Sequence, residues 1–277
     1  MNSASLKSIL IKAKKLSHSS SFGIHNSSHI GDGIEFSEIR EYEMGDDIKY
    51  IDSLQSAKHQ KPMIKLFQRT TELDIIIVGF ISGSLYFGTD EFKNEKLSLL
   101  ASTFGFLAYN NGDSFSSFLG SDKLELCTKR SKHFFTISQM SKGFLETPCL
   151  EKEIDYKSII TKLNSITKPN SIIILIGDFL DIGDIDLSPL KQKDTRVCII
   201  RDRFEENPDI SGNINLIDNT KPIYLYSNIS PTQTQNYQDA IKENDYKFFL
   251  HLNKLGIKYA KFYTNENDNK PLCELLR

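Results

Sequence analysis

Two uninterrupted apolar runs constrain this chain more than any other feature: Ile75-Ile76-Ile77-Val78-Gly79-Phe80-Ile81 and Ile172-Ile173-Ile174-Leu175-Ile176. A strand with one wet face alternates apolar and polar residues. A strand that is apolar at every position is buried on both faces, as in a parallel sheet covered by helices on either side. Further strand candidates lie at 114–119, 123–128, 195–201, 214–218, 222–227 and 257–264. Helical spacing fills the gaps. Residues 92–110 carry Phe92, Leu97, Leu100, Ala101, Phe104 and Ala108; 133–145, 155–167 and 234–255 follow the same rule, and a short helix is expected at 270–276. This alternation predicts an α/β fold, a mostly parallel central sheet with helices on both faces, preceded by an N-terminal extension. Such sheets bind ligands at the carboxyl ends of their strands, where the strand order reverses. Ser82 and Ser84 follow one run and Asp178 the other, so the three are expected on the same edge.

The chain has 277 residues, enough for one large α/β domain with an extension, divided here as 1–70 and 71–277. A net charge of −2 gives no argument for nucleic acid or an acidic membrane. Cys127, Cys149, Cys198 and Cys273 are widely spaced, with no CxxC pair, and read as reduced thiols of a cytoplasmic protein. The N-terminal stretch has too little apolar length for a signal peptide or membrane span. Leu6, Ile9, Leu10, Ala13 and Leu16 share one helical face, which suits packing on the chain's own domain better than lying on a membrane surface.

Residues 18–70 are polar, with little periodicity. Within 32–52 stand Asp32, Glu35, Glu38, Glu41, Glu43, Asp46, Asp47 and Asp52, against Arg40 and Lys49. Arg40, Lys49, Lys58 and Lys65 are natural partners for these acids. A structural ion-pair network, a docking surface and a set of catalytic carboxylates are the three readings. Nothing nearby supplies a nucleophile for the last. Gly45-Asp46-Asp47 is a turn signal. His25 and His29 have metal-ligand spacing only on a helix, which the surrounding Ser, Asn and Gly disfavour. No G-x-S-x-G elbow and no GxxxxGK[ST] loop appears.

Two segments carry a family resemblance. Residues 31–52, GDGIEFSEIREYEMGDDIKYID, with Ser56-Ala57-Lys58, resemble the signature G-x-G-x-E-F-x-x-x-R-x-Y-x-x-G-D-D-x-R-x-I-D-W … S-A-R of the bacterial family called domain of unknown function 58. Ser82-Gly83-Ser84-Leu85-Tyr86-Phe87-Gly88 with Lys96 resembles its D-x-S-x-S-M-x-F-G … K segment. Gly112-Asp113, Gly177-Asp178-Phe179-Leu180-Asp181, Gly256-Ile257 and Thr264 extend the likeness over about residues 22–277. The resemblance implies a von Willebrand factor A-like domain, often encoded beside MoxR-type AAA+ ATPases and thought to serve as an adaptor or assembly factor. It also implies a metal-ion-dependent adhesion site, where Mg²⁺ is held by Asp-x-Ser-x-Ser and completes a bond to an acidic residue of the partner.

The chain departs from that pattern. Phe80 stands at the metal-site Asp, Ser53 at the Trp, and Lys49 and Lys58 at two arginines, which loses the planar guanidinium fork. Ser82, Ser84 and Asp178 are the remnant ligands, and one carboxylate with two hydroxyls makes a poor Mg²⁺ site. The expectation is therefore no cofactor. Ser82 and Ser84 are expected to cap the following loop, and Asp178 the segment after its strand. The function expected is a non-catalytic adaptor bound to a MoxR-type AAA+ ATPase or its client, through Arg40, Asp46, Asp47, Lys49, Asp52 and Lys58 together with the sheet edge. The alternatives are a metal-assisted hydrolase using the acidic 32–52 segment and a metal-independent structural interaction domain.

Overall fold

The computed structural model describes residues 3–19, 28–70, 72–150, 152–183, 185–209, 212–218 and 223–277. In chain order the elements are α1 (Ser3–Ser19), β1 (Ser28–Glu41), α2 (Ser53–His59), β2 (Met63–Thr70), β3 (Asp74–Phe80), α3 (Lys93–Asn111), β4 (Ser114–Gly120) and β5 (Leu124–Ser131). They continue with α4 (Phe134–Glu146), α5 (Tyr156–Ile166), β6 (Ser171–Gly177), β7 (Asp194–Arg201), α6 (Arg203–Glu206), β8 (Gly212–Asp218), β9 (Ile223–Ile229), α7 (Pro231–Leu255), β10 (Lys258–Tyr263) and α8 (Asn269–Leu276). They form two compact units, one of residues 1–23 with 73–277 and one of residues 24–72.

The larger unit is built on a six-stranded sheet of order β10-β7-β6-β3-β4-β5. Every neighbour pair is parallel except β4–β5. The chain runs outward from β3 to β5, then returns to β6 on the other side of β3, so the strand order reverses between β3 and β6. Asp74 pairs with Ser114 on one side and Ser171 on the other. This in-register alignment brings the carboxyl ends of the central strands to one edge.

Alternate residues of β3 feed two apolar layers, because successive side chains leave a strand on opposite faces. Ile76, Val78 and Phe80 join Ile173, Leu175, Val197 and Ile199 under α5 and α7, whose Ile159, Leu163, Phe248 and Leu252 close that layer. The other face lies under α3. A Cβ on Gly79 would come within 2.5 Å of Phe144 of α4 and 3.0 Å of Leu97, so glycine permits the close packing there. Helix α3 is buried nearly all round, with α1 and α4 packed on it. Ile9, Ala13 and Leu16 of α1 are buried. This packing favours the domain-packing reading of the N-terminal helix, and among the described residues no helix is long and apolar enough to cross a membrane. The compact units also differ from an extension counted as 1–70, since α1 sits with the sheet.

The strand candidates 214–218 and 222–227 fall on β8 and β9, which form a separate antiparallel pair and do not enter the main sheet. The smaller unit holds strands that the reading of 18–70 as aperiodic did not anticipate. β1 and β2 pair antiparallel, with register shifts between Ile30 and Glu35 and between Phe36 and Glu38. Bulges of this kind break the period-two pattern by which a strand is read. His29 lies in β1, and His25 lies outside the described residues.

Candidate functional site

The reversal point between β3 and β6 opens into a cleft of about 620 Å³, lined by Ser82, Ser84, Tyr156, Asp178 and Asp181 among others. The chain arrives there as β3 ends, turns through a short helical stretch at Gly83–Tyr86, and enters α3 at Lys93. Gly88 makes the turn possible: a Cβ there would lie 1.9 Å from the Glu91 carbonyl oxygen. The Lys93 amide then donates to the Phe87 carbonyl at 2.9 Å, which fixes the start of α3 at the sheet edge.

The Ser82 and Ser84 hydroxyls bond each other at 2.6 Å. Ser82 makes no side-chain cap on the helical stretch that follows, contrary to the capping expectation. Ser84 lies on the same edge and helps to lower the Asp178 pKa. Asp178 does not cap the segment after its strand either. Its Oδ2 accepts from Lys93 Nζ at 3.2 Å, and the same ammonium donates to Glu205 Oε1 at 2.7 Å. Lys93 is 0% exposed. Burial pushes the Asp178 pKa up, but Lys93, Ser84 and Arg201 outweigh it and hold the carboxyl below its usual value. Glu205 goes the other way: burial and the neighbouring Asp178 charge push it up despite Lys93. Glu205 Oε2 is buried without a hydrogen-bond partner.

Phe80 does not face this cleft. It is 1% exposed and turned into the apolar layer, with its ring 5.2 Å from Tyr156 and 5.4 Å from Phe179 between centroids. Hypothetical Cβ atoms on Gly120 and Gly177 would lie 3.2 Å and 3.0 Å from Phe80, so both flanking strands leave room for it. Phe179 holds φ at +48°, uncommon for a bulky residue, and its ring also stacks on Phe248. The turn after β6 thereby places the Asp178 carboxyl at the edge and the Phe179 ring inside.

Farther along the same edge are charged residues that the sequence reading did not single out. Arg201, 1% exposed, donates to Asp245 at 2.7 Å and to the Phe179 carbonyl at 3.3 Å. Asp202 accepts from Thr89 at 2.7 Å and from Thr264 at 2.7 Å. Lys261 bridges Asp245 and Glu206, each at 2.6 Å. A signal was present in Arg201-Asp202, a charged pair directly after the apolar run Val197-Cys198-Ile199-Ile200. Lys96 stands one helical turn beyond Lys93 and pairs with Asp268 at 2.8 Å. Aromatic rings rim the edge: Tyr86 stacks on Phe92 at 4.8 Å and Phe87 on Phe204 at 6.5 Å, with Tyr86, Phe92 and Phe204 each more than 40% exposed.

In the smaller unit Asp46, Asp47 and Asp52 are each committed. Asp46 accepts from Arg40 at 2.8 Å and from the Glu43 amide at 2.9 Å. Asp47 pairs with Lys49 at 2.8 Å and accepts from its amide, and Asp52 caps α2 while pairing with Lys65 at 2.8 Å. The Glu43 amide does most to lower the Asp46 pKa, Lys49 that of Asp47, and Lys65 that of Asp52. Lys58 is exposed, as are Met44, Ile48 and Leu54. Among the described residues no group of three or more His, Cys, Asp or Glu is arranged to hold a metal ion.

Comparison with solved structures finds matches of low identity and low TM-score. BatB from Bacteroides thetaiotaomicron is 11% identical, with a TM-score of 0.43, over 72% of this chain and 93% of that one. An aerotolerance-related membrane protein from Bacteroides fragilis is 12% identical, with a TM-score of 0.44, over 73% of this chain and 96% of that one. Among curated proteins none matches. Residues 38–246 match the family described as "Protein of unknown function DUF58", a span that contains Asp46, Asp47, Asp52, Ser82, Ser84, Lys93, Asp178 and Glu205, and the chain belongs to that family.

Proposed function

We propose that this protein is a non-catalytic interaction module that docks a MoxR-type AAA+ ATPase or its client, with a cytoplasmic location and a von Willebrand factor A-like architecture as parts of the same reading. The supporting observation is how the signature acids are used. Asp46, Asp47 and Asp52 each hold a cation and a backbone amide, with their pKa values lowered. Carboxylates so held stay anionic at neutral pH and are poorly suited to proton transfer, which favours recognition over hydrolysis. Next to them Met44, Ile48 and Leu54 present apolar surface to solvent. Charged residues interleaved with exposed apolar side chains suit a protein partner better than a small substrate. Tyr86, Phe92 and Phe204 offer a second such surface at the sheet edge, and four free thiols are consistent with a reducing compartment.

The test is capture of a purified MoxR-type ATPase on the immobilised protein, wild type against Arg40→Glu, Asp46→Lys with Asp47→Lys, and Leu54→Asp. Circular dichroism checks that each variant is folded. The expected result is at least a tenfold loss of capture, as for truncation of interface anchors worth about 1.4 kcal/mol or more. Capture by the folded variants equal to wild type removes this surface from the proposal.

A further inference from the structure

We infer that the Lys93 ammonium is the resident cation of the sheet edge, occupying the place between Asp178 and Glu205 where a divalent metal ion would otherwise sit. This goes beyond the docking proposal and does not depend on it.

The donor set explains why the place suits a cation. Two carboxylates, Asp178 after β6 and Glu205 on α6 after β7, converge on one point at the sheet edge, and such oxygens are the usual ligands of Mg²⁺ or Mn²⁺. Lys93 is already inside the set, 3.2 Å from Asp178 Oδ2 and 2.7 Å from Glu205 Oε1, with no exposure to solvent. A dication among the same oxygens would stand against a buried ammonium, and like charges at contact distance repel strongly where water is excluded. The ion that Asp-x-Ser-x-Ser implies therefore does not fit these residues as they stand.

The single charge leaves a residue of its own. One ammonium faces two carboxylates, and Glu205 Oε2 is left buried and unpartnered. A dication would balance both. The same account covers Phe80: with the cation supplied from α3, no Asp is needed at the end of β3, and the position is free to fill the apolar layer against Tyr156 and Phe179. The apolar residue at position 80 and the buried lysine at position 93 thus fit one account.

The experiment compares thermal unfolding in EDTA and in millimolar Mn²⁺, and Mn²⁺ binding by electron paramagnetic resonance, for wild type, Lys93→Met, Asp178→Asn and the double variant. Wild type is expected to melt at the same temperature in both buffers. Lys93→Met, with two uncompensated carboxylates, is expected to melt lower in EDTA and to recover by about 5 °C or more in Mn²⁺, as a ligand held only by the native state requires. It should bind one Mn²⁺ per chain, and the double variant none. Mn²⁺ binding by wild type that Asp178→Asn abolishes overturns the inference. So does Lys93→Met that Mn²⁺ does not stabilise, whether it folds in EDTA or in neither buffer. Failure of the double variant to fold as well, with or without Mn²⁺, shows that removing the Asp178 charge does not relieve the loss of the ammonium, and equally overturns it.

Discussion

Replacing Phe80 by Asp would restore the aspartate of the D-x-S-x-S pattern that this chain resembles, and the packing around Phe80 says that it destabilises the fold instead. Phe80 is 1% exposed and packed on Tyr156 and Phe179 between the two glycines of the neighbouring strands. Removing a buried Phe side chain costs about 3–5 kcal/mol, and the two aromatic contacts put position 80 towards the upper end. Phe80→Ala should therefore lose about 4–5 kcal/mol, a fall of roughly 10–15 °C in melting temperature for a domain of this size. Asp adds the cost of a carboxyl in an apolar layer. Its pKa rises there by several units from about 3.9, and each unit is about 1.4 kcal/mol, so at pH 7 Phe80→Asp should be about 4 kcal/mol less stable than Phe80→Ala. A group with a raised folded pKa is penalised only above its unfolded value. The gap should thus shrink to about 1.5 kcal/mol at pH 5 and vanish near pH 4. Urea unfolding followed by circular dichroism at pH 7 and pH 5, with and without Mg²⁺, measures all three quantities. Phe80→Asp at least as stable as Phe80→Ala at pH 7, or restored by Mg²⁺, would refute the argument, because the new carboxylate would then have reached the cleft and not the core.

Two further outcomes follow from the buried charges. Arg201→Met leaves the Asp245 carboxylate with Lys261 alone, and breaking a buried pair from one side costs about 3–5 kcal/mol. The urea midpoint should fall with its slope unchanged, and a loss under about 1 kcal/mol would mean that the guanidinium is solvated. Asp178 and Asp202 are held below their usual pKa values, the latter because hydrogen bonds from Thr264 and Thr89 outweigh its burial. Their stabilisation is complete above about pH 4 and is lost as the pH falls through the lowered values. Glu205, raised chiefly by burial, contributes in the opposite sense, favouring the fold below its unfolded value and losing that as the pH rises. Melting temperature against pH for wild type and Asp202→Asn should show a shallower acid limb in the variant. Superimposed acid limbs would contradict the assignment.

The central strands and their flanking helices were legible because each is locally consistent: unbroken Ile and Val runs, and apolar residues at helical spacing, point to the same layers. The β1–β2 pair was not. Its register shifts at Ile30–Glu35 and Phe36–Glu38 interrupt the alternation. The pairing of β8 with β9 was also beyond reach, since an apolar run indicates a strand without naming its neighbour. Within the site, the convergence of Ser82, Ser84 and Asp178 followed from chain order and sheet direction alone. Their hydrogen bonding did not. Capping was the economical expectation for serines in a loop, and it fails because Lys93, 85 residues from Asp178 in the chain, arrives on α3 with a charge to be met.

The sequence by itself determined that two strands are buried on both faces, because an unbroken apolar run is a local property of the chain. Two signature segments carried the family resemblance, and in the pattern they resemble an aspartate stands where this chain has Phe80. Only the tertiary structure decided what Phe80 and Lys93 do. Whether a side chain at a strand end faces core or cleft depends on the Gly120 and Gly177 surfaces beside it. Whether a lysine at the head of a helix is a solvated charge or a buried cation depends on which carboxylates the fold brings within 3.2 Å of it. Burial and opposite charge act through space, and chain position does not record them.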